Sequence, residues 1–390
     1  MIFDNSKLER NNNNKNAKKP ILHNIINNCN FSNLGTKENT SQTYIQKIDY
    51  SNKNFITSFL NKNNSAFFQC FELDEYLNSG SAGYVYRGQY KGHVKIQVAI
   101  KFLINNKIKE KEKEKEKEKE NNKKKQQKTF QEIAISKKLH NKNITETFAF
   151  SKNEKISYSV LEYAKYGDLE HFLKKLLKRN VLSETSLNYF GKHILDGLKY
   201  IHICKVVHLD IKPSNILIDS NLNCKITDFS VSCPYSLFNP EDTVKFPRVG
   251  TLKFMSPEIL SSSHMKVKEA EKIDMYSFGV TLYFLFYGHY PYNLKEVKGQ
   301  NYDEILKRIK NEKLAFPKER KISKLFQDFF EKILETDYTK RLTINEALNH
   351  PWIKEGSKII FDEKENINCQ ENFLIKLITD NIQRFNAFIR

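Results

Sequence analysis

The stretch that decides the fold is His208-Leu209-Asp210-Ile211-Lys212-Pro213-Ser214-Asn215, which lies just past the middle of the 390-residue chain. It places a carboxylate (Asp210), an ammonium group (Lys212) and a side-chain amide (Asn215) in one short loop. Under uniform composition, five such fixed positions match by chance roughly once in several thousand chains of this length. We therefore interpret the other motifs by their distance from this octapeptide.

Thirteen residues after Asn215 the chain reads Asp228-Phe229-Ser230. The stretches Ile216 to Ile218 and Lys225 to Thr227 predict a hairpin between the two motifs, which would bring Asn215 and Asp228 together around a metal ion. Phosphoryl transfer needs a carboxylate to accept the proton of a hydroxyl, a cation to offset charge, and oxygen ligands for magnesium. The predicted catalytic residues are Asp210, Lys212 and Asn215, and the predicted Mg²⁺ ligands are Asn215 and Asp228.

Upstream of the octapeptide, a glycine-containing turn precedes a strand that ends in lysine. The turn is Asn78-Ser79-Gly80-Ser81-Ala82-Gly83-Tyr84-Val85, where glycines would let backbone N–H groups approach phosphates. Taken alone, two glycines in a hairpin usually mark only a turn. Because Val98-Ala99-Ile100-Lys101 follows, we favour contact of Lys101 with α- and β-phosphates over simple exposure to solvent. Glu132 is the expected ion-pair partner of Lys101.

The order of patterns along the chain predicts an α+β fold with two halves. Strands are predicted at Phe71 to Leu77, Gly83 to Gln89 and Val94 to Leu103, followed by a helix at Phe130 to Leu139. From about Leu182 onward, helical patterns dominate. A small β-rich half is therefore expected before a larger helical half.

Three segments read as extensions to this domain. Residues 1–64 contain seventeen Asn and little apolar periodicity, which predicts disorder. Residues 105–128 contain a Lys-Glu alternation that predicts a solvated loop or frayed helix. The tail, residues 353–390, carries an apolar helical stripe (Leu374, Ile378, Ile382, Phe385 and Ile389), which favours a helix docked on the larger half. A regulatory or calmodulin-binding helix is the alternative, although basic charge for it is sparse.

The net charge of +18 is concentrated in these extensions, because residues 1–64 and 105–128 contribute +5 each. Solvated tails explain this charge better than a nucleic-acid footprint, since no arginine-aromatic interleaving is present. The longest apolar run, Val280 to Tyr287, is too short to span a bilayer and predicts a buried helix. We expect no nucleic-acid partner, no membrane span and a cytoplasmic location, with access to the nucleus left open.

From about Phe71 to Trp352, roughly 280 of 390 residues, the sequence resembles the eukaryotic protein kinase family. The resemblance implies a bilobal α+β fold, over a domain at 71–352, with ATP and Mg²⁺ in the cleft between the lobes. It also implies transfer of the γ-phosphate to protein substrates. Lys212, with Gly250-Thr251 ahead of Ser256, is similar to the serine/threonine class, whereas tyrosine kinases usually carry Arg or Ala near the position of Lys212.

The resemblance also assigns residues to ATP. Leu161 falls at the gatekeeper position, Glu162 and Ala164 in the hinge, and Asp168 where a ribose-contacting carboxylate is common. Val85, Ala99 and Leu217 match the positions that sandwich adenine. The full predicted set is Leu77, Asn78, Ser79, Gly80, Ser81, Ala82, Gly83, Tyr84, Val85, Ala99, Lys101, Glu132, Leu161, Glu162, Ala164, Asp168 and Leu217.

Two further matches concern the framework of the domain. Ser256-Pro257-Glu258 resembles the end of a kinase activation segment, with Arg341 as the buried partner of Glu258. Asp274 matches the helix residue that braces the catalytic loop. Narrower likenesses, such as Phe130-Gln131-Glu132-Ile133-Ala134-Ile135 and the position of the Lys-Glu insert, are similar to calcium/calmodulin-dependent protein kinase kinases. That likeness implies that the substrates are other kinases.

One departure from the family pattern bears on regulation. Leu209 stands where the family usually has an arginine that binds a phosphate on the activation segment. The departure predicts that activity does not require phosphorylation near Thr243. A catalytically silent pseudokinase scaffold is the rival hypothesis, but such proteins usually lack at least one of Lys101, Glu132, Asp210, Asn215 and Asp228, and all are present here.

Overall fold

The computed structural model describes residues 70–80, 83–91, 96–104, 132–152, 156–176, 181–294, 297, 299 and 301–354. The predictions for residues 1–64, for Ser81 and Ala82, for the insert at 105–128 and for the tail beyond residue 354 lie outside the described residues. The described residues fall into two compact units. The sheet unit comprises those up to residue 104 and Thr147–Tyr163, and the helical unit comprises 132–146 and those from Ala164 onward.

The sheet unit is one antiparallel five-stranded sheet. Its strands are β1 (Phe71–Gly80), β2 (Gly83–Tyr90), β3 (Ile96–Ile104), β4 (Thr147–Lys152) and β5 (Ile156–Glu162), in the spatial order β1-β2-β3-β5-β4. The three predicted strands are confirmed, with shifted ends. β1 continues three residues beyond the prediction because Gly80 still pairs with Gly83 across the turn.

The two faces of this sheet have different roles. Because side chains alternate along a strand, Tyr86, Ile100 and Val160 share one face. That face forms the buried apolar core of the unit, together with Val98, Phe102 and Tyr158. Val85 pairs with Lys101, and Ala99 with Leu161, which places these four residues on the opposite face.

The helical unit contains the remaining elements. Its helices are α1 (residues 132–136), α2 (Leu169–His171), α3 (Glu184–Ile203), α4 (Pro257–Leu260), α5 (Glu271–Tyr287), α6 (Tyr302–Asn311), α7 (Lys324–Ile333), α8 (Ile344–Asn349) and α9 (residues 351–354). Its strand pairs are β6 (Val206–Val207) with β9 (Cys233–Pro234), β7 (Ile216–Ile218) with β8 (Cys224–Ile226), and β10 (Thr243–Val244) with β11 (Met265–Lys266). α1 ends at residue 136, three residues before the predicted end of that helix.

The helix α5 is the centre of the helical unit. Almost all of its residues are buried, from Lys272 to Phe286, so it has no polar face. The helix ends where Gly288 adopts a left-handed conformation with φ +76°, which glycine reaches without strain. The buried helix predicted at Val280 to Tyr287 is thus confirmed. No helix within the described ranges is both long and apolar enough to cross a membrane.

The fold class predicted from the sequence is confirmed, because an antiparallel sheet unit is followed by a helical unit in one α+β chain. The hairpin predicted after the octapeptide is also confirmed as β7 and β8, although its second strand starts one residue earlier than predicted. This hairpin and the buried helix α5 are the two elements that hold the octapeptide.

Candidate active site

The octapeptide 208–215 forms a loop between β6 and β7 that is anchored to α5. Asp274, a fully buried residue of α5, accepts hydrogen bonds from the backbone N–H groups of His208 (2.8 Å) and Leu209 (2.9 Å). A carboxylate that accepts two backbone N–H groups holds the loop in one conformation. Asp274 therefore has the bracing contact that the resemblance predicted.

The carboxylate of Asp210 is held through both of its oxygens. Oδ1 accepts the backbone N–H of Thr251 at 2.7 Å. Oδ2 accepts the side-chain amide of Asn215 at 2.9 Å and lies 2.8 Å from Nζ of Lys212. Asp210 is largely buried, and 9% of its surface remains exposed to solvent. Its orientation is thus determined by three neighbours, and it still reaches the surface.

Lys212 connects the octapeptide to a distant segment. Its Nζ donates to Oγ1 of Thr251 at 2.6 Å as well as contacting Asp210. Gly250, with φ +97°, lies so close to the loop that a Cβ there would be 2.2 Å from the carbonyl oxygen of Leu209. Only glycine fits at this position. Thr251 and Gly250 therefore belong to the site.

From the sequence, Gly250-Thr251 indicated only a likeness to the serine/threonine class, and neither residue was predicted to lie in the site. The available signal was a glycine followed by a hydroxyl residue five positions before Ser256. That signal gives no distance to Asp210, because 41 residues separate Asp210 from Thr251.

His208 links the octapeptide to the segment around Asp228. Its Nε2 lies 3.1 Å from the carbonyl oxygen of Thr227, and its Nδ1 accepts the backbone N–H of Asp210 at 3.2 Å. The imidazole ring also packs edge-on against Phe229, with 5.1 Å between ring centroids. His208 thus contacts residues on both sides of Asp228.

Asn215 and Asp228 are the two predicted metal ligands. The backbone N–H of Thr227 donates to the carbonyl oxygen of Asn215 at 3.0 Å, so the hairpin brings the two ligand positions close along the backbone. The Nδ2 group of Asn215 donates to Asp210, which leaves Oδ1 as the atom of that side chain able to bind a cation. Asp228 has φ +68°, a conformation that non-glycine residues rarely adopt. Such strain is found mainly at functional sites.

Leu209 also has a positive φ of 66°, but its side chain is only 5% exposed and packs in the apolar core of the helical unit. A leucine in this position cannot bind a phosphate. The absence of the family's arginine, noted from the sequence, therefore removes a charge and adds a core residue.

Three of the predicted ATP-binding residues lie together in the helical unit. Asp168 and Leu217 form an isolated antiparallel bridge, and Ala164 precedes them in the segment leading to α2. Asp168 also caps α2, because its Oδ1 accepts the backbone N–H of His171 at 2.9 Å. A capping role occupies one oxygen of this carboxylate and is compatible with a second role for the other.

Apart from Glu132, the other predicted ATP-binding residues within the described ranges lie in the sheet unit. Asn78, Ser79 and Gly80 end β1, opposite Gly83, Tyr84 and Val85 at the start of β2, while Leu77 is 39% exposed. Ala99 and Lys101 are each 9% exposed, on the sheet face opposite the core. Glu162 ends β5 next to Leu161. Because Glu132 belongs to the helical unit, its pairing with Lys101 stays a prediction.

The ion pair expected between Glu258 and Arg341 is present and fully buried. Nη1 of Arg341 lies 2.7 Å from Oε1 of Glu258, and Nη2 lies 3.0 Å from Oε2. The same guanidinium donates to the carbonyl oxygens of Lys272 and Glu335. Through Arg341, α4 is thus connected to Lys272 in α5 and to Glu335, which follows α7. α4 lies at the end of the segment that contains Thr251.

Comparison with curated proteins shows similarity to several kinases. The chain is 33% identical over 240 residues to a calcium/calmodulin-dependent protein kinase kinase of Caenorhabditis elegans, covering 60% of this chain and 42% of the relative. It is 30% identical over 226 residues to an Aurora kinase of Eremothecium gossypii, covering 58% and 57%. It is 30% identical over 247 residues to the probable serine/threonine-protein kinase MARK-A of Dictyostelium discoideum, covering 62% and 22%.

The chain thus spans between about a fifth and somewhat over half of the length of these relatives. The similarity to family models is broader, because the sequence matches the protein kinase domain over residues 71–353. This match covers more than half of the chain and includes the octapeptide, the hairpin and the strands of the sheet unit. The chain belongs to the protein kinase family.

Proposed function

We propose that the protein is a serine/threonine protein kinase that transfers the γ-phosphate of ATP to hydroxyl groups of protein substrates. The observation that carries the proposal is the carboxylate of Asp210, held by Lys212, Asn215 and the backbone of Thr251. A carboxylate oriented in this way suits the role of a base that accepts the proton of an attacking hydroxyl. The names of the relatives, all kinases, agree with this function.

Each neighbour of Asp210 has a distinct part in this chemistry. Lys212, between Asp210 and Thr251, places a positive charge beside the group that accepts the proton, where it offsets negative charge on the transferred phosphoryl group. Asn215 and Thr251 orient the carboxylate. Catalysis of phosphoryl transfer consists mainly of such positioning and charge stabilisation.

Kinases use a divalent metal, and the residues present fit Mg²⁺. The two protein donors would be Oδ1 of Asn215 and the carboxylate of Asp228, both oxygen ligands of the kind that Mg²⁺ prefers. No group of three or more His, Cys, Asp or Glu side chains suited to a metal occurs in the described part of the chain. A site with two protein ligands agrees with Mg²⁺, which usually keeps several waters and binds substrate phosphates. When bound, the ion would neutralise charge on the phosphates.

For ATP, we propose that the sheet face opposite the core supplies Val85, Ala99 and Lys101. On that face, the apolar residue Ala99 and the charged residue Lys101 are both buried, and one residue of β3 separates them. The apolar residue suits a planar base, and the lysine suits a phosphate. In the helical unit, the family resemblance supports Asp168, Ala164 and Leu217 as proposed nucleotide-binding residues.

The likeness to a calcium/calmodulin-dependent protein kinase kinase supports a narrower proposal, in which the substrates are other kinases. Under this proposal, the tail beyond residue 354 is the candidate segment for calmodulin. Two measurements separate these ideas. Phosphorylation of an inactive kinase on its activation segment tests the substrate class, and calcium-dependent binding of a peptide covering residues 371–390 tests calmodulin.

The proposed function is tested with Mg-ATP and a generic basic protein substrate. We expect Asp210→Asn to lower the rate of phosphate transfer by at least about a hundredfold, because a base contributes roughly 10²–10⁴. Asp196→Asn is the matched control: Asp196 lies on α3 and pairs with Lys192 at the surface. It should keep the wild-type rate. Equal, negligible transfer by the wild type and Asp210→Asn would instead support the pseudokinase scaffold.

We further propose that activity does not depend on phosphorylation near Thr243. Leu209 offers no cation for a phosphate, and the segment is tied down by other charges. The carboxylate of Glu241 lies 2.9 Å from Nζ of Lys266 and 2.7 Å from Nζ of Lys268. These ion pairs, with the pairing of β10 and β11, connect the segment around Thr243 to the residues before α5.

A further inference from the structure

A cavity of about 320 Å³ lies in the helical unit, away from Asp210. It is bordered by the C-terminal end of α3, the segment 235–240 and the start of α5, and Ile344 and Asn345 of α8 close one side. Neither the proposed chemistry nor the proposed nucleotide site uses any of these residues as a ligand. The cavity therefore needs a separate explanation.

The rim of the cavity carries exposed apolar side chains. Large apolar side chains that are well exposed among the described residues are Leu77, Ile203, Leu237 and Phe238. Ile203 (65% exposed) and Phe238 (49%) line the cavity, and Leu237 (96%) lies between its lining residues Ser236 and Phe238. Apolar groups that cluster around a cavity are typical of an interaction site.

A buried histidine forms part of the cavity wall. His202 lines it and is only 5% exposed. Its Nε2 lies 2.8 Å from Oδ2 of Asp274, a carboxylate that can only accept, so Nε2 carries the hydrogen. Nδ1 is then an acceptor, and it has no hydrogen-bond partner within the described ranges. Nδ1 is itself enclosed by protein, so His202 connects the cavity wall to Asp274 without offering an open acceptor.

The charges around the cavity select the sign of that ligand. Three lysines line it (Lys199, Lys205 and Lys268), against one carboxylate, Glu271. Glu271 accepts the backbone N–H of Ile344, and Lys268 is paired with Glu241. Lys199 and Lys205 are exposed and have no carboxylate partner in the described part of the chain. The cavity thus suits a peptide with apolar side chains followed by acidic ones.

We propose that this cavity binds the chain's own segment Ile359–Glu365, which reads Ile-Ile-Phe-Asp-Glu-Lys-Glu. Three apolar residues match the exposed apolar side chains of the rim, and Asp362, Glu363 and Glu365 match the lysines. The N-terminal segment Ile2-Phe3-Asp4 has a similar start, but Lys7 and Arg10 follow it and would be repelled by the lysines.

The position at which the described chain ends is compatible with this occupant. Lys354 follows Trp352, whose Nε1 donates to Glu184 at the N-terminal end of α3 and whose carbonyl accepts from Asn188. From Asn188 to His202 the helix rises about 21 Å, at 1.5 Å per residue. The seven residues from Lys354 to Phe361 can span up to about 25 Å. The linker is therefore longer than the rise along α3 that separates Asn188 from the cavity residue His202.

Occupancy would act on the catalytic loop through a short path. His202 contacts Asp274, and Asp274 holds the backbone N–H groups of His208 and Leu209. A ligand that orders His202 would stabilise this brace. Binding of the segment requires no phosphate transfer, so it can be measured whether or not the protein has the proposed enzyme activity.

The test is photocrosslinking in the full chain. Phe361→p-benzoylphenylalanine should crosslink within the same molecule to residues 199–205 or 235–240. The matched control, Phe373→p-benzoylphenylalanine, lies in the same tail outside the segment and should give at least fivefold less of this product. Equal yields, or crosslinks from position 361 to another surface, would overturn the proposal.

A charge exchange provides the second arm. Lys199→Glu with Lys205→Glu should lower the crosslink yield from position 361 at least fivefold, and adding Asp362→Lys with Glu363→Lys should restore it to within twofold. Failure to restore the yield in a folded protein contradicts the charge pairing. Mixing two differently tagged chains separates the remaining outcome, because crosslinks between tags would assign the cavity to the segment of a second copy and reject binding within one chain.

Discussion

Two networks of charged groups in the helical unit differ in their exposure to water. The first joins Arg341 to Glu258, with side-chain exposures of 0% and 3%. The second joins Glu241 to Lys266 and Lys268, with side-chain exposures of 65%, 52% and 44%. The distances are similar, at 2.7 Å for the buried pair and 2.7–2.9 Å for the exposed pairs.

The difference in burial decides what each network contributes. In the buried pair, the loss of one partner leaves the other charge without water or a counterion. In the exposed network, water replaces a lost partner at little cost. The buried network therefore determines the shape of the helical unit, whereas the exposed one only biases the position of a surface segment. The first and last of the four predictions below test this contrast directly, and the other two concern partly buried polar groups between these extremes.

The largest effect is expected for Arg341→Met, which leaves Glu258 buried and unpaired. We expect the free energy of unfolding to fall by about 3–5 kcal/mol, measured by urea denaturation. Lys340→Met is the matched control, because Lys340 is adjacent in sequence and 74% exposed, and it should unfold as the wild type does. A small loss from Arg341→Met would mean that burial does not separate the two networks.

The next largest effect is a pH-dependent change in the free energy of unfolding, caused by the partly buried residue His193. Burial lowers the pKa of His193 to about 4, while its Nδ1 accepts the backbone N–H of Cys224. The unfolded chain therefore binds more protons between pH 4 and 6.5, so the stabilisation is complete above pH 6.5 and is lost as the pH falls toward 4. We expect a loss of about 1–3 kcal/mol over this range.

The variant His193→Asn tests this cause, because Asn can still accept from Cys224 but does not titrate. Its free energy of unfolding should change less than that of the wild type between pH 6.5 and 4. His264→Asn is the control, because His264 is exposed and should retain the wild-type slope. Parallel curves for all three proteins would rule out His193 as the source.

A smaller effect is expected for Thr251→Val, which removes the hydroxyl that accepts from Lys212 but keeps the backbone N–H that Asp210 uses. We expect kcat to fall about tenfold, near 1.4 kcal/mol of barrier, with little change in melting temperature. Thr251→Ser should recover most of the rate. If Val and Ser variants are equally active, the hydroxyl has no part in positioning Lys212.

The smallest effect is expected at the exposed network. Hydrogen bonds from Lys268 and Lys266 lower the pKa of Glu241 to about 2, but its side chain is 65% exposed to water. Glu241→Gln should melt at the wild-type temperature at neutral pH, and Thr243→Ala should keep at least half of the wild-type activity. A collapse of activity in Thr243→Ala would show that the segment needs its phosphate after all.

Local patterns predicted much of this structure. The hairpin β7–β8 followed from two short stretches, Ile216 to Ile218 and Lys225 to Thr227, and α5 from the apolar run Val280 to Tyr287. Both are regular elements whose residues interact with near neighbours, so the pattern contains the information. Ends were less accurate: α1 stops three residues early, and β1 runs on to Gly80 because its partner strand continues to pair.

Contacts across long separations could not be predicted in this way. Thr251 lies 41 residues from Asp210 and 39 from Lys212, and neither distance follows from composition or periodicity. The pairing of Glu258 with Arg341, 83 residues apart, was expected only through a resemblance to a family. His202 gave no signal, because a histidine near the end of a helix is ordinary until its two nitrogens are seen to have different surroundings.

The sequence by itself determined the types of groups available: the carboxylate of Asp210, the ammonium of Lys212, the amide of Asn215, and a leucine at position 209 where a phosphate-binding cation would otherwise be. Tertiary structure alone decided how these groups are used. Packing around the buried helix α5 places Asp274 under the loop and brings Gly250 and Thr251 against Asp210. Such contacts arise because distant segments must share one core, and no local pattern records which of them meet.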